Sequence, residues 1–183
     1  MAVPPDFTAG QILTAAQMNK IGLWVVTGAS FSAVSAVNVN NCFTSDYDDY
    51  VIAIKITAWS TAQAATLRMR ASGSDNTQAE YYFSGIAAAQ GSDTTLYFPR
   101  SNAATAITIT RSTGNVPINI ILNVNDPAQA RVTTMSGEYI GFSLLGFNIG
   151  GGHNVASAFD GFSLIAASTQ TITGSYRVYG KRD

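Results

Sequence analysis

Few side chains in this protein could do chemistry, and their spacing limits what that chemistry could be. His153 is the only histidine and Cys42 the only cysteine in 183 residues. Ser-His-Asp catalysis would need His153 as base, with a serine to activate and a carboxylate to orient it, yet no Gly-x-Ser-x-Gly elbow occurs. Cys42 and His153 have the residue types of a thiol pair. The setting Asn41-Cys42-Phe43, beside a strand, is instead that of an inert buried thiol. A glycosidase needs two carboxylates facing across a groove, and Glu80, Glu138, Asp93 and Asp126 are scattered without a recognisable frame. Asp46, Asp48 and Asp49 offer oxygens suited to Ca²⁺, but the downstream glycine and bidentate glutamate of a calcium loop are missing. A solvated turn ahead of a strand is the better reading, and Asp160 before Gly161 reads the same way. One histidine per chain makes no conventional metal site, although three copies of His153 meeting on a three-fold axis could hold a transition metal. The preceding Gly150-Gly151-Gly152 reads as a loop of close backbone approach or a mobile tip. These residues predict no enzyme, no cofactor and no bound metal.

Binding chemistry is better supplied. Trp59, Tyr81, Tyr82, Phe83, Tyr97 and Phe98 gather in the middle of the chain, and exposed rings are platforms for sugar faces and for protein contacts. Phe83, Phe142, Phe147 and Phe162 read as core, whereas Trp59, Tyr81 and Tyr97 stand open between core and a glycan or partner contact. Charged residues are 11% of the chain, against roughly a quarter in ordinary soluble domains. So neutral a surface suits permanent packing or neutral sugars better than a polyanion. The net charge of −1, with no basic patch, argues against nucleic acid. No internal disulfide can form, which is compatible with assembly in a reducing cytoplasm. Residues 1–7 lack a signal-peptide pattern, and no window approaches the ~18 consecutive apolar residues of a membrane helix, so membrane insertion is not expected.

The elements that must position these residues divide at about residue 22. In Thr14-Ala15-Ala16-Gln17 the threonine and glutamine form a capping box, predicting a helix of about two turns that stops near Gly22. Such a helix is too short to stand alone, so Ile12, Leu13, Met18 and Ile21 must dock on something. Residues 1–22 are read as an attachment arm and residues 23–183 as one domain. Within it, β-favouring runs at 23–27, 50–59, 65–71, 80–84, 94–98, 106–110, 118–124, 135–145, 161–166 and 171–180 predict strands. Tyr50, Ile52, Ile54 and Ile56 share one face, and Arg68 and Arg70 oppose Leu67 and Met69. Turn residues separate the runs at 72–76, 113–115 and 125–127. Many short strands with no helical periodicity between them predict an all-β, antiparallel, jelly-roll-like sandwich.

Two stretches resemble bacteriophage virion proteins. Phe7-Thr8-Ala9-Gly10-Gln11-Ile12-Leu13-Thr14-Ala15-Ala16-Gln17-Met18-Asn19 resembles the N-terminal arm of many phage tail-fibre, minor tail and related surface proteins. Tyr47-Asp48-Asp49-Tyr50, Gly151-Gly152-His153-Asn154 before Phe159-Asp160-Gly161-Phe162, and the closing Thr173-Gly174-Ser175-Tyr176-Arg177-Val178-Tyr179-Gly180 are similar to small jelly-roll domains of tail-fibre, receptor-binding and capsid-associated proteins. The resemblance implies a homotrimer assembled in the host cytoplasm into the virion. It would be held to other virion proteins by Phe7, Ile12, Leu13, Met18 and Ile21 and exposed for attachment to host-surface glycan. The alternative is a capsid decoration or cement protein, to which the lack of an elongated shaft sequence points, and the remote one a glycan depolymerase.

Overall fold

The computed structural model describes residues 12, 22–61, 64–89, 96–97, 100–111, 117–141, 144–167 and 169–181, without the side chains of 87–89, 96–97, 111, 141 and 144–147. The predicted helix of the arm lies outside these residues, as do Phe7, Leu13, Met18 and Ile21; Ile12 is described and is 87% exposed. Among the described residues every regular element is a strand.

The chain runs through β1 (Leu23–Val34), β2 (Ala36–Val39), β3 (Asp49–Trp59), β4 (Ala64–Ala71) and β5 (Ser74–Asp75). It continues through β6 (Tyr81–Ala89), β7 (Leu96–Tyr97), β8 (Arg100–Ala104), β9 (Ile107–Arg111) and β10 (Ile118–Asn125). It ends with β11 (Arg131–Gly141), β12 (Leu144–Ser157), β13 (Gly161–Ala166) and β14 (Ile172–Lys181). A nine-stranded antiparallel sheet has the order β1-β14-β3-β10-β11-β12-β6-β7, with β8 also on β6. A five-stranded sheet has the order β2-β13-β4-β5, with β9 also on β4.

The period-two pattern of the sequence sets the inner face. Tyr50, Ile52, Ile54 and Ile56 of β3 are buried beside Ile118, Ile120, Leu122 and Val124 of β10. Leu67 and Met69 of β4 and Phe162 and Leu164 of β13 supply the inner face of the smaller sheet and belong to the same core cluster. Tyr50 and Tyr81 are buried with their hydroxyls satisfied. Tyr50 donates to the Thr44 carbonyl at 2.8 Å, and Tyr81 accepts from the Met69 N–H at 2.9 Å and donates to the Asn76 carbonyl at 3.1 Å.

Three readings need correction. The run at 23–27 is only the start of a 12-residue β1, which tolerates Gly28, Ser30 and Ser32 because β14 supplies its ladder partners along most of its length. The run at 135–145 belongs to two strands, β11 and β12, which pair antiparallel. Gly150-Gly151-Gly152 is strand rather than loop. It lies inside β12 between β11 and β6, where a Cβ on Gly151 would stand 2.3 Å from the Tyr82 carbonyl oxygen and one on Gly152 2.1 Å from that of Thr133. The 72–76 turn is where it was expected. Ser72 and Gly73 both have positive φ, at 51° and 79°, the conformation of a two-residue type I′ hairpin between β4 and β5.

Candidate functional site

His153 is fully buried on β12, so it is not a free ligand at a loop tip. Its Nδ1 is 2.9 Å from the Val155 carbonyl, an acceptor only, which fixes a proton on Nδ1. Nε2 faces Glu80 Oε2 and Asn76 Nδ2, each at 2.9 Å. Tyr81 and Phe159 meet the imidazole edge-on, with ring centroids 5.1 and 4.9 Å away. The three polar groups therefore tie β12 to the segment ahead of β6, with the imidazole held between two aromatic rings. Burial pushes the Tyr81 phenol up to about 12.

A second polar cluster lies on the outer side of the smaller sheet. Alternation directs Arg70 away from the core, yet the β4–β5 hairpin folds over it and leaves it 6% exposed. Arg70 Nε donates to Asn40 Oδ1 and Nη1 to Ser163 Oγ, both at 2.8 Å, and the guanidinium also reaches the Asp75 carboxylate and the Gly73 carbonyl. Ser163 Oγ stands 2.6 Å from Asp75 Oδ1 and 2.9 Å from Asn38 Oδ1. The fork thus locks β2, β4, β5 and β13 together. Sequence reasoning placed Arg70 with Arg68 opposite Leu67 and Met69, as the structure has it, but did not foresee that the β4–β5 hairpin covers it.

The remaining predicted positions fall as follows. Trp59 and Tyr81, left open as contact residues, are core side chains at 3% and 0% exposure, and neither offers a ring to a ligand in this chain. Tyr97 lies on the two-residue β7, its side chain outside the description. Phe83 and Phe162 are buried, as expected of core residues. Cys42 is buried at 1% exposure, and desolvation pushes its thiol up to about 12, the opposite of an activated nucleophile. Asp49 opens β3 and pairs with Lys181 at 3.8 Å, while Asp46 stays in the preceding turn. Among the described residues no three His, Cys, Asp or Glu side chains converge as a metal site.

No protein-family model matches this chain, and no curated protein matches it. Its geometry is therefore the guide. The largest feature left unabsorbed by the fold is the outer face of the nine-stranded sheet. Leu23, Val25, Ile86, Ile121 and Ile140 all project there and are about half or more exposed, interleaved with Ala53, Asn119, Asn123, Ser136 and Ser175. Charges on it are sparse: Asp49, Lys55, Arg100, Arg177, Lys181 and Glu138. Shallow depressions of ≈ 570, 280 and 560 Å³ line it near Ile86, near Ile121 and beside Gly28. One signal of this face was present in the sequence: Ile121 sits between Asn119 and Asn123, an apolar residue on the polar side of an alternating strand.

Proposed function

We propose that this chain is a non-enzymatic structural subunit of a bacteriophage virion. Residues 1–22 anchor it to the particle, and its sandwich is presented to the host surface in the manner of a tail-fibre or receptor-binding knob. The observation that carries the reading is the broad, sparsely charged and apolar-studded sheet face, a surface for lasting contact rather than a cleft for turnover. The polar groups best suited to chemistry, His153 with Glu80 and Arg70 with Asp75, are engaged in holding strands together. The arm sequence from Phe7 to Asn19 supports attachment, and the exposure of Ile12 leaves an apolar contact for a docking partner.

A jelly roll is the finer description of the fold. The order β1-β14-β3-β10 in one sheet and β2-β13-β4-β9 in the other supports it, with successive strands β1–β2, β3–β4, β9–β10 and β13–β14 alternating between sheets. In this reading three copies associate, so that weak contacts to host glycan gain three-fold avidity. A capsid decoration protein is the second reading, favoured by the compact sandwich with no elongated shaft among the described residues. Competition decides between them. Purified protein added to host cells blocks adsorption of the phage if it is the adhesin. Unchanged adsorption, with particles that lose stability when the protein is missing, assigns it to the capsid.

A further inference from the structure

We propose that two copies of this chain pack face to face through the outer side of the nine-stranded sheet, around a two-fold axis passing between Ala53 and Ile121. The inference stands apart from the virion reading, and either can fail alone.

In register across the sheet runs one row of outward residues: Gly28, Arg177, Ala53, Ile121, Glu138 and Asn148. Arg177 and Glu138 are both exposed, and among the described residues neither has an ion-pair partner. They lie three strands apart, about 14 Å, and equally far from the midpoint between Ala53 and Ile121. A two-fold axis over that midpoint and parallel to the strands therefore brings Arg177 of each copy opposite Glu138 of the other. It also lays Ile121 over the small Ala53, in the depression of ≈ 280 Å³ that these two residues line with Lys55, Asn119, Ser175 and Arg177.

The neighbouring rows agree. Ser175, Lys55, Asn119 and Ile140 form the row on one side, and Tyr179, Val51, Asn123 and Ser136 the row on the other. The same rotation lays each row over itself, setting Ile140 against Ser175, Lys55 against the uncharged Asn119, Tyr179 against Ser136 and Val51 against Asn123. No like charges are opposed in these three rows. Opposite charges placed symmetrically about an apolar centre make the face complementary to itself, which is why the occupant is a second copy. Such a contact is isologous, whereas a ring of three needs two different patches. The pairing is thus distinct from any trimer contact. The six strands β1-β14-β3-β10-β11-β12 that the rotation superposes span about 29 Å, and over the 8-residue length of β10 they offer about 800 Å² to each copy, the size per partner of a stable interface.

The test is sedimentation of the full-length chain with Arg177→Glu, Glu138→Arg and both together. The unaltered chain sediments as a pair, or as an even multiple of one copy. Each single reversal weakens association about ten-fold or more. The double reversal restores it, and so does mixing the two single variants, because each then supplies the charge its partner lacks. A melt by circular dichroism confirms that every variant is folded. A monomer at all concentrations, an odd multiple, or mixed single variants that stay apart overturns the proposal.

Discussion

Replacing Arg70 by methionine removes the centre of the lock on the smaller sheet while keeping most of its volume. The lost guanidinium leaves Asn40 Oδ1, the Gly73 carbonyl and the Asp75 carboxylate without their donor in a site where Arg70 is 6% exposed. Breaking one partner of a buried ion pair costs about 3–5 kcal/mol. Asp75 keeps 22% of its side chain in water and stays 2.6 Å from the Ser163 hydroxyl, so part of that cost is offset and about 2–4 kcal/mol is expected. For a domain of this size that lowers the melting temperature by about 5–15 °C. Arg70→Lys keeps the charge but loses the planar fork and its reach to Asn40, and is expected to show about half the loss. Urea unfolding is the assay, read as a shift of midpoint at unchanged slope. A loss below about 0.5 kcal/mol for Arg70→Met, or a lysine variant as stable as the parent, would refute the lock.

Three further outcomes follow from the same coordinates. His153→Leu removes the bond to the Val155 carbonyl and the contacts with Glu80 and Asn76, and thermal melts should show a loss of about 1–3 kcal/mol. Stability should fall as pH rises from 9.0 towards about 12. In that window the Cys42 thiol and the Tyr81 phenol, both raised to about 12, keep their protons when folded and release them when unfolded. Urea midpoints at stepped pH check this, and Cys42→Ala removes the component that begins near 9.0. Gly152→Ala forces a methyl to within 2.1 Å of the Thr133 carbonyl oxygen, so β11 and β12 must separate, and hydrogen exchange on both strands should rise sharply.

How much of this was legible in the sequence depends on which residues carried the signal. β3, β4 and β10 were readable because Tyr50 to Ile56, Leu67 to Met69 and Ile118 to Val124 alternate cleanly, each burying one face. The Ser72-Gly73 hairpin was readable because those residues favour positive φ. The glycine run of β12 was not, since glycine marks a loop as readily as a strand crowded by its neighbours' backbones, and only the sheet distinguishes them. The burial of His153 and of Arg70 was missed for one shared reason. Their burial depends on partners distant in sequence, Glu80 for the first and Ser163 and Asn40 for the second, which no local pattern announces. The assembly face left one local trace, Ile121, while the symmetry of Arg177 and Glu138 exists only through the register of four strands.

The most direct measurement of the central claim is the amount of this protein carried by purified phage particles when residues 1–22 are present and when they are deleted. Full-length protein recovered at a fixed copy number, with the shortened chain folded but missing from the particle, is the outcome expected of an anchored structural subunit. Equal incorporation of the shortened chain, or none of the full-length one, would contradict it.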